Sequence, residues 1–293
     1  MLPLSTFFPP APEPGEPGDP GLFGPGSAAW RIGRERVLLA AGPAALLLQV
    51  AHPLVAAGVA AHSSFTTEPL TRLRSTLDAV LTVTFGDGAQ VRAAARHVAR
   101  RHRVVQGTLP VATGPHAAGT PYRAADRDLA LWVLATLVWT SVTVTEGFAR
   151  PVPAAERDAY YRDMRRVGHH FGVPAAVLPD DYAALERYVD HQVGHVLAVG
   201  ETATRIAAQV LSPDPPIVPA PTRPLPALLA AGVLPAPVRE AYGLAWRQRE
   251  RAAFRAAQRA TRRALPLLPA HPRYWPHYLV AADRVRAGDG GPG

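Results

Sequence analysis

In this chain of 293 residues, the residue best placed to do chemistry is a histidine on a segment loaded with arginine. Between Ala89 and Gln106 stand Arg92, Arg96, Arg100, Arg101 and Arg103. Read as a helix at about 100° per residue, the segment sets Val91, Ala94, Ala95, Val98, His102 and Val105 on one stripe. The expectation is a buried His102, with His97 turned toward the arginine side. An imidazole there is either a core histidine hydrogen-bonded to a carbonyl or a ligand to iron, and spacing alone leaves both open. The arginines have three readings: a solvated helix face, a phosphate-tracking face, or guanidiniums that neutralise the propionates of a haem.

Other groups are less distinctive. Arg72 and Thr76 stand one turn apart beside the apolar stripe Leu70, Leu73, Leu77, Val80 and Thr84, where polar groups either orient a ligand or snorkel to water. His191 and His195 have an i, i+4 spacing that suits a metal, but no HExxH pattern surrounds them. His169 and His170 read as a helix C-terminal pair facing the dipole.

The composition removes whole classes of chemistry. Zero cysteine excludes a disulfide framework, a thiolate metal site and a cysteine nucleophile, so any metal must be held by His or carboxylates. All 31 basic residues are Arg, which removes Schiff-base chemistry and a P-loop lysine. No Glu-x-x-His occurs for a di-iron bundle of that type, no G-x-S-x-G elbow for a serine hydrolase, and no G-x-G-x-x-G follows a strand. A net charge of +8 invites nucleic acid as a partner. The chain lacks the aromatic interleaving or basic tail that would support it, so none is expected.

The elements that must position these residues read as helices. Ala and Arg dominate, no Asn-Gly or Asp-Gly hairpin signal links alternating strands, and Pro or Gly punctuates every ~15–25 residues. Helices are expected near 33–50, 53–63, 69–85, 89–106, 126–148, 154–170, 180–210, 226–231, 236–242 and 247–264. The fold class is therefore all-α, a single large helical domain over 28–287. Residues 1–27, with eight prolines, read as a disordered or loosely docked arm, and 288–293 as a flexible tail. A Pro-rich loop, 212–226, interrupts the body. No basic n-region precedes an apolar core at the N terminus, so a cytoplasmic chain is expected. Two apolar stretches, Val37 to Ala61 and Leu129 to Thr145, raise the question of membrane contact. Buried core helices are the favoured reading, and such a core can enclose a flat hydrophobic cofactor.

The run Ala41 to Phe65, with His52 before Pro53 and His62 before Ser63, resembles the catalytic domain shared by the fungal MpaB oxygenase and the bacterial rubber oxygenase, or latex clearing protein. Further matches follow in order: Glu68 to Thr76, Phe85 to Asp87, the helix around His102 ending at Gly107, Pro121 to Asp126, Leu131 to Thr136, Arg239 to Trp246 and Leu265 to Pro269. Together they cover roughly residues 30–285. The resemblance implies an all-α haem b protein whose iron is held axially by a histidine. It also implies an oxygenase that uses dioxygen on a hydrophobic, isoprenoid-like substrate. By position the proximal ligand is His102. An arginine, a lysine and a threonine beside the haem fall on Arg72, Ser75 and Thr76. The arginine one turn after the ligand is here Gln106, and a histidine common in the Trp-Val-x-Ala-Thr motif is here Leu134. His52 and His62 are expected near the cavity, with Arg72, Thr76 and His62 as the catalytic candidates.

Overall fold

The computed structural model describes residues 9–62, 69–212 and 224–289. Among these the fold is helical throughout, apart from one small two-stranded sheet, as the sequence leads one to expect. In chain order the helices are α1 (Ala28–Gly33), α2 (Gly42–Ala51), α3 (Pro53–His62), α4 (Pro69–Phe85), α5 (Gly88–Arg103), α6 (Arg127–Val144) and α7 (Ala154–His170). There follow α8 (Tyr182–His195), α9 (Glu201–Leu211), α10 (Leu225–Val233), α11 (Ala236–Ala241), α12 (Gln248–Ala264), α13 (Ala270–Arg273) and α14 (Pro276–Asp289).

The core is organised around α6. Asp126 caps it, its side chain accepting from the N–H groups of Asp128 and Leu129. Leu131, Trp132, Leu134, Ala135, Val138, Val142 and Val144 are all buried, so the helix is apolar nearly all round and packs against α2, α7 and α8. Its hydroxyls do not oppose that burial. Thr136, Thr140, Thr143 and Thr145 each donate to a carbonyl three or four residues back. The Trp132 indole donates to the Leu48 carbonyl, and Gln49 donates to Thr136, which ties α2 across the centre.

Of the two apolar stretches, the first is bent by 104° between Ala51 and Pro53. Proline has no N–H to continue the ladder, and His52 takes the extended conformation usual before proline. The second continues through a π-helical turn to Ala149 and, among the described residues, is the helix long and apolar enough to cross a bilayer unaided. Its window is 61% buried inside the protein.

Several boundaries differ from expectation. The helix expected over 180–210 is two, α8 and α9, because the chain breaks at 196–200 and the Ala198 N–H pairs instead with the Ala51 carbonyl. The helix expected to reach Gln106 ends at Arg103. Gln106–Thr108 (β1) then pairs antiparallel with Pro121–Arg123 (β2). Gly107 permits this closeness, since a Cβ there would lie 2.6 Å from the Tyr122 hydroxyl. α1, α13 and α14 lie outside the expected helices. The Pro-rich loop coincides largely with 213–223, outside the described residues.

The described part of the N-terminal arm, 9–27, is irregular but pinned. The Glu16 N–H donates to Asp87, the Gly18 N–H to the Arg284 carbonyl, and the Gly88 N–H to Asp19. Arg284 donates to the carbonyls of Pro14, Asp19 and Phe85, joining arm, α14 and the end of α4. A Cβ on Gly21, whose φ is +72°, would collide with the Gly86 carbonyl.

Candidate functional site

The pair α4 and α5, joined through Gly86 and Asp87, carries most of the candidate residues. Its turn end is anchored. Leu81, Val83, Thr84, Phe85 and Asp87 are buried, as is Val91, and Asp87 and Gln90 form a capping box at the start of α5. Burial raises the Asp87 pKa, but the N–H groups of Gln90 and Glu16 outweigh it and hold the carboxyl below its ordinary range. His277 of α14, 1% exposed, meets Asp78 of α4 at 3.3 Å and braces the same pair from outside.

Among the described residues the opposite end is open. Along α5 the stripe runs from buried Val91 through half-buried Ala94, Ala95 and Val98 to His102, which is exposed, contrary to the expectation of a buried histidine. The stripe's phase is as read, but a stripe is buried only as far as a neighbour covers it. Among the described residues the element packed substantially on α5 is α4. Arg100, Arg101 and Arg103 share the last turn with His102, where cations face the negative end of the helix dipole. Thr76, on α4, is also exposed. The side chains of Arg72 and Ser75 lie outside the described residues.

Gln106 begins β1 four residues after His102, and its carbonyl oxygen lies 2.9 Å from His62 Nε2 at the end of α3. A carbonyl only accepts, so Nε2 carries the proton and Nδ1 is the basic nitrogen of the neutral ring. The His62 ring meets Tyr122 edge-on at 6.4 Å, over a small cluster of Leu54, Ala57, Leu109, Tyr122 and Leu129. His102, Gln106 and His62 thus belong to one exposed region, formed by the end of α5, β1 and the end of α3.

His52 is not part of it. It sits at the opposite end of α3, about 15 Å away along a ten-residue helix. It is 5% exposed and packs against His116 with ring centroids 5.3 Å apart. His52 Nδ1 and His116 Nε2 are both buried without a hydrogen-bond partner among the described residues. Burial, reinforced by His116, pulls the His52 pKa down to about 4, with Asp126 opposing. Burial lowers His116 as well. His116 escaped notice in the sequence because it lies 64 residues from His52, in a turn closed by paired Thr113 and His116 backbone bonds. His277 escaped for the same reason, being 199 residues from Asp78.

His191 and His195 stack at 4.6 Å on an exposed face, and no group of three metal-ligating side chains occurs among the described residues. Leu134, at the motif position where a histidine is common, is buried in the core. A cleft of about 520 Å³ lies elsewhere, lined by Arg31, Arg34, Arg150 and Glu156. Its polar groups are largely engaged, since Glu156 accepts from both Arg31 and Arg150.

Comparison with known proteins agrees with this architecture. Residues 29–263 match the family described as ER-bound oxygenase mpaB/B'/rubber oxygenase, catalytic domain. Two relatives described only as uncharacterised proteins, one from Mycobacterium bovis and one from Mycobacterium tuberculosis, are each 34% identical over 123 residues. That alignment takes in 41% of this chain and 44% of each relative, so the chain spans less than half the length of the curated relatives it matches. No solved structure matches. With its helical body matched almost from α1 to the end of α12, the chain belongs to the mpaB/rubber oxygenase catalytic-domain family.

Proposed function

We propose that this protein is a haem b-dependent oxygenase that uses dioxygen on a small hydrophobic, isoprenoid-like substrate, with His102 as the residue that would hold the iron. The observation that carries the reading is the position of His102. It ends the apolar stripe of α5 at an accessible site, in a chain of an oxygenase catalytic-domain family. The donor set suits the group. Haem iron asks the protein for one imidazole, Ala94, Ala95 and Val98 lead an apolar ridge up to it, and Arg100, Arg101 and Arg103 stand in the same turn to meet carboxylates.

When bound, haem would supply the activation of dioxygen; the protein would supply ligation and orientation. His102 would hold the iron. Arg72 and Thr76, on the helix packed against α5, are assigned to lining the pocket, and Gln106 fixes His62 through its carbonyl. His62, protonated on Nε2, presents Nδ1 as a proton acceptor within the same region.

A second reading rests on Ser75. The chain contains no lysine, and a serine cannot supply the cationic donor that the lysine of the rubber oxygenases provides. On that reading the protein binds haem or a hydrophobic ligand without turning it over. Oxygen consumption with polyisoprenoid substrates separates the two: uptake above the haem-only control supports the oxygenase. No uptake by haem-loaded protein leaves the binding function. Failure to take up haem at all contradicts both haem readings.

A further inference from the structure

We infer that the corner formed by α12 and the turn after it docks the protein on an anionic lipid bilayer. α12 carries six arginines, Arg249, Arg251, Arg255, Arg259, Arg262 and Arg263, against a single acid, Glu250. Phe254 is buried and marks the inward direction. From it, Arg251, Arg262, Arg255, Arg259 and Arg263 follow one another around one flank to the outer surface. Ala253, Ala256, Ala260 and Ala264 line the other flank, all exposed. Arg255, Arg259 and Arg263 form no ion pair within 4 Å among the described residues, so this charge is not neutralised within the fold.

The helix runs directly into Leu265–Leu267, a 3-10 turn with Pro266 inside it and Pro269 just beyond. Leu265 is buried and anchors the turn, while Leu267 is 83% exposed and Leu268 is 42% exposed. Leu39, 36% exposed, lies on the segment Arg36–Ala41, which packs against α13 immediately beyond the turn. Scattered exposed leucines are ordinary. Adjacent leucines held outward by prolines at the end of a one-sided basic helix are a different arrangement, since apolar tips and cationic flank point to one partner.

Charge complementarity selects the occupant. An anionic bilayer offers phosphates to the arginines, whose stems snorkel, and an acyl boundary to the leucines. Two copies meeting face to face through this surface would set arginine against arginine, because a two-fold contact pairs the same patch with itself. A nucleic acid would use the arginines and leave the leucines in water. The inference is independent of haem, and it places the protein at the surface where hydrophobic substrates dissolve.

The test uses the full chain and vesicles of phosphatidylcholine, with or without about a third phosphatidylglycerol. Co-sedimentation is expected with the anionic vesicles at low salt, falling steeply as salt rises. The double variant Leu267→Asp, Leu268→Asp, with unchanged far-UV circular dichroism, is expected to bind at least tenfold more weakly. The chain lacks cysteine, so Leu267→Cys gives a single labelling site for an environment-sensitive dye. Its emission should shift to the blue on anionic vesicles, whereas the same dye at exposed Val111→Cys should not respond. Wild-type protein that stays in the supernatant at low salt would overturn the inference. So would a double aspartate variant that binds as wild type, or a dye at position 267 that remains in water while the protein sediments.

Discussion

Burying an imidazole with one nitrogen unpartnered turns its protonation into a stability term, and His52 is such a residue. Its pKa is about 4 in the fold against 6.5 in the unfolded chain, so between those values the unfolded state binds more protons. Stability from this group is complete above pH 6.5 and is lost as pH falls toward 4, by about 3 kcal/mol in all. Urea titrations at pH 7 and pH 4.5 should show the loss, and His52→Gln should reduce the difference. An unchanged difference in the variant would assign it to other groups. Glu156 adds to the acid limb lower down, because its hydrogen bond from Arg150, aided by Arg31, holds it below the ordinary carboxylate range and it resists protonation until more acid pH. His102 shows how much of a site spacing reveals. The phase of the stripe from Val91 to Val98 follows from periodicity alone, whereas the exposure of His102 depends on tertiary cover that periodicity does not report. His116 was not legible, since nothing local marks a loop residue as the neighbour of another 64 positions away.

At the scale of elements, α6 and the α4–α5 turn invite the clearest substitutions. Trp132 is fully buried, and Trp132→Ala should cost about 3–5 kcal/mol in denaturant unfolding. A cost under about 1 kcal/mol would mean that α6 is not the centre of the core. Asp87 both caps α5 and receives the Glu16 N–H of the arm. Asp87→Ala should cost about 1–3 kcal/mol and should also expose the arm to limited proteolysis near residue 16. A cap without an arm would give the first effect and not the second. Helix existence was largely legible because apolar periodicity and Pro punctuation are local signals. The break at 196–200 was not, because it is stabilised by a bond to Ala51 across the molecule. The β1–β2 ladder is not legible in the sequence because twelve residues of chain separate the strands, with no tight-turn signal to announce the pairing. α14 braces α4 through His277 and holds the arm through Arg284.

At the scale of the whole molecule, the two features that stood out in composition acquire separate places. The apolar excess goes into helices around α6, and much of the arginine excess lies on α5 and α12, at different corners of the fold. The absence of lysine sharpens the functional question, because on the proposed correspondence Ser75 stands where the rubber oxygenases have a cationic donor. The family is readable from the order of motifs, which no single element carries, and the all-α architecture from apolar periodicity and Pro punctuation. The substrate is a matter of cavity shape, and the residues 63–68 that lead from α3 into α4 lie outside those described. The account stands most directly on whether His102 holds haem. The deciding measurement is the absorbance spectrum of protein purified with haem supplied, in ferric and ferrous states, for the wild type and His102→Ala. A Soret band that shifts on reduction and is lost or displaced in the variant is the predicted result. A wild type that takes up no haem, or a variant with the wild-type spectrum, would contradict it.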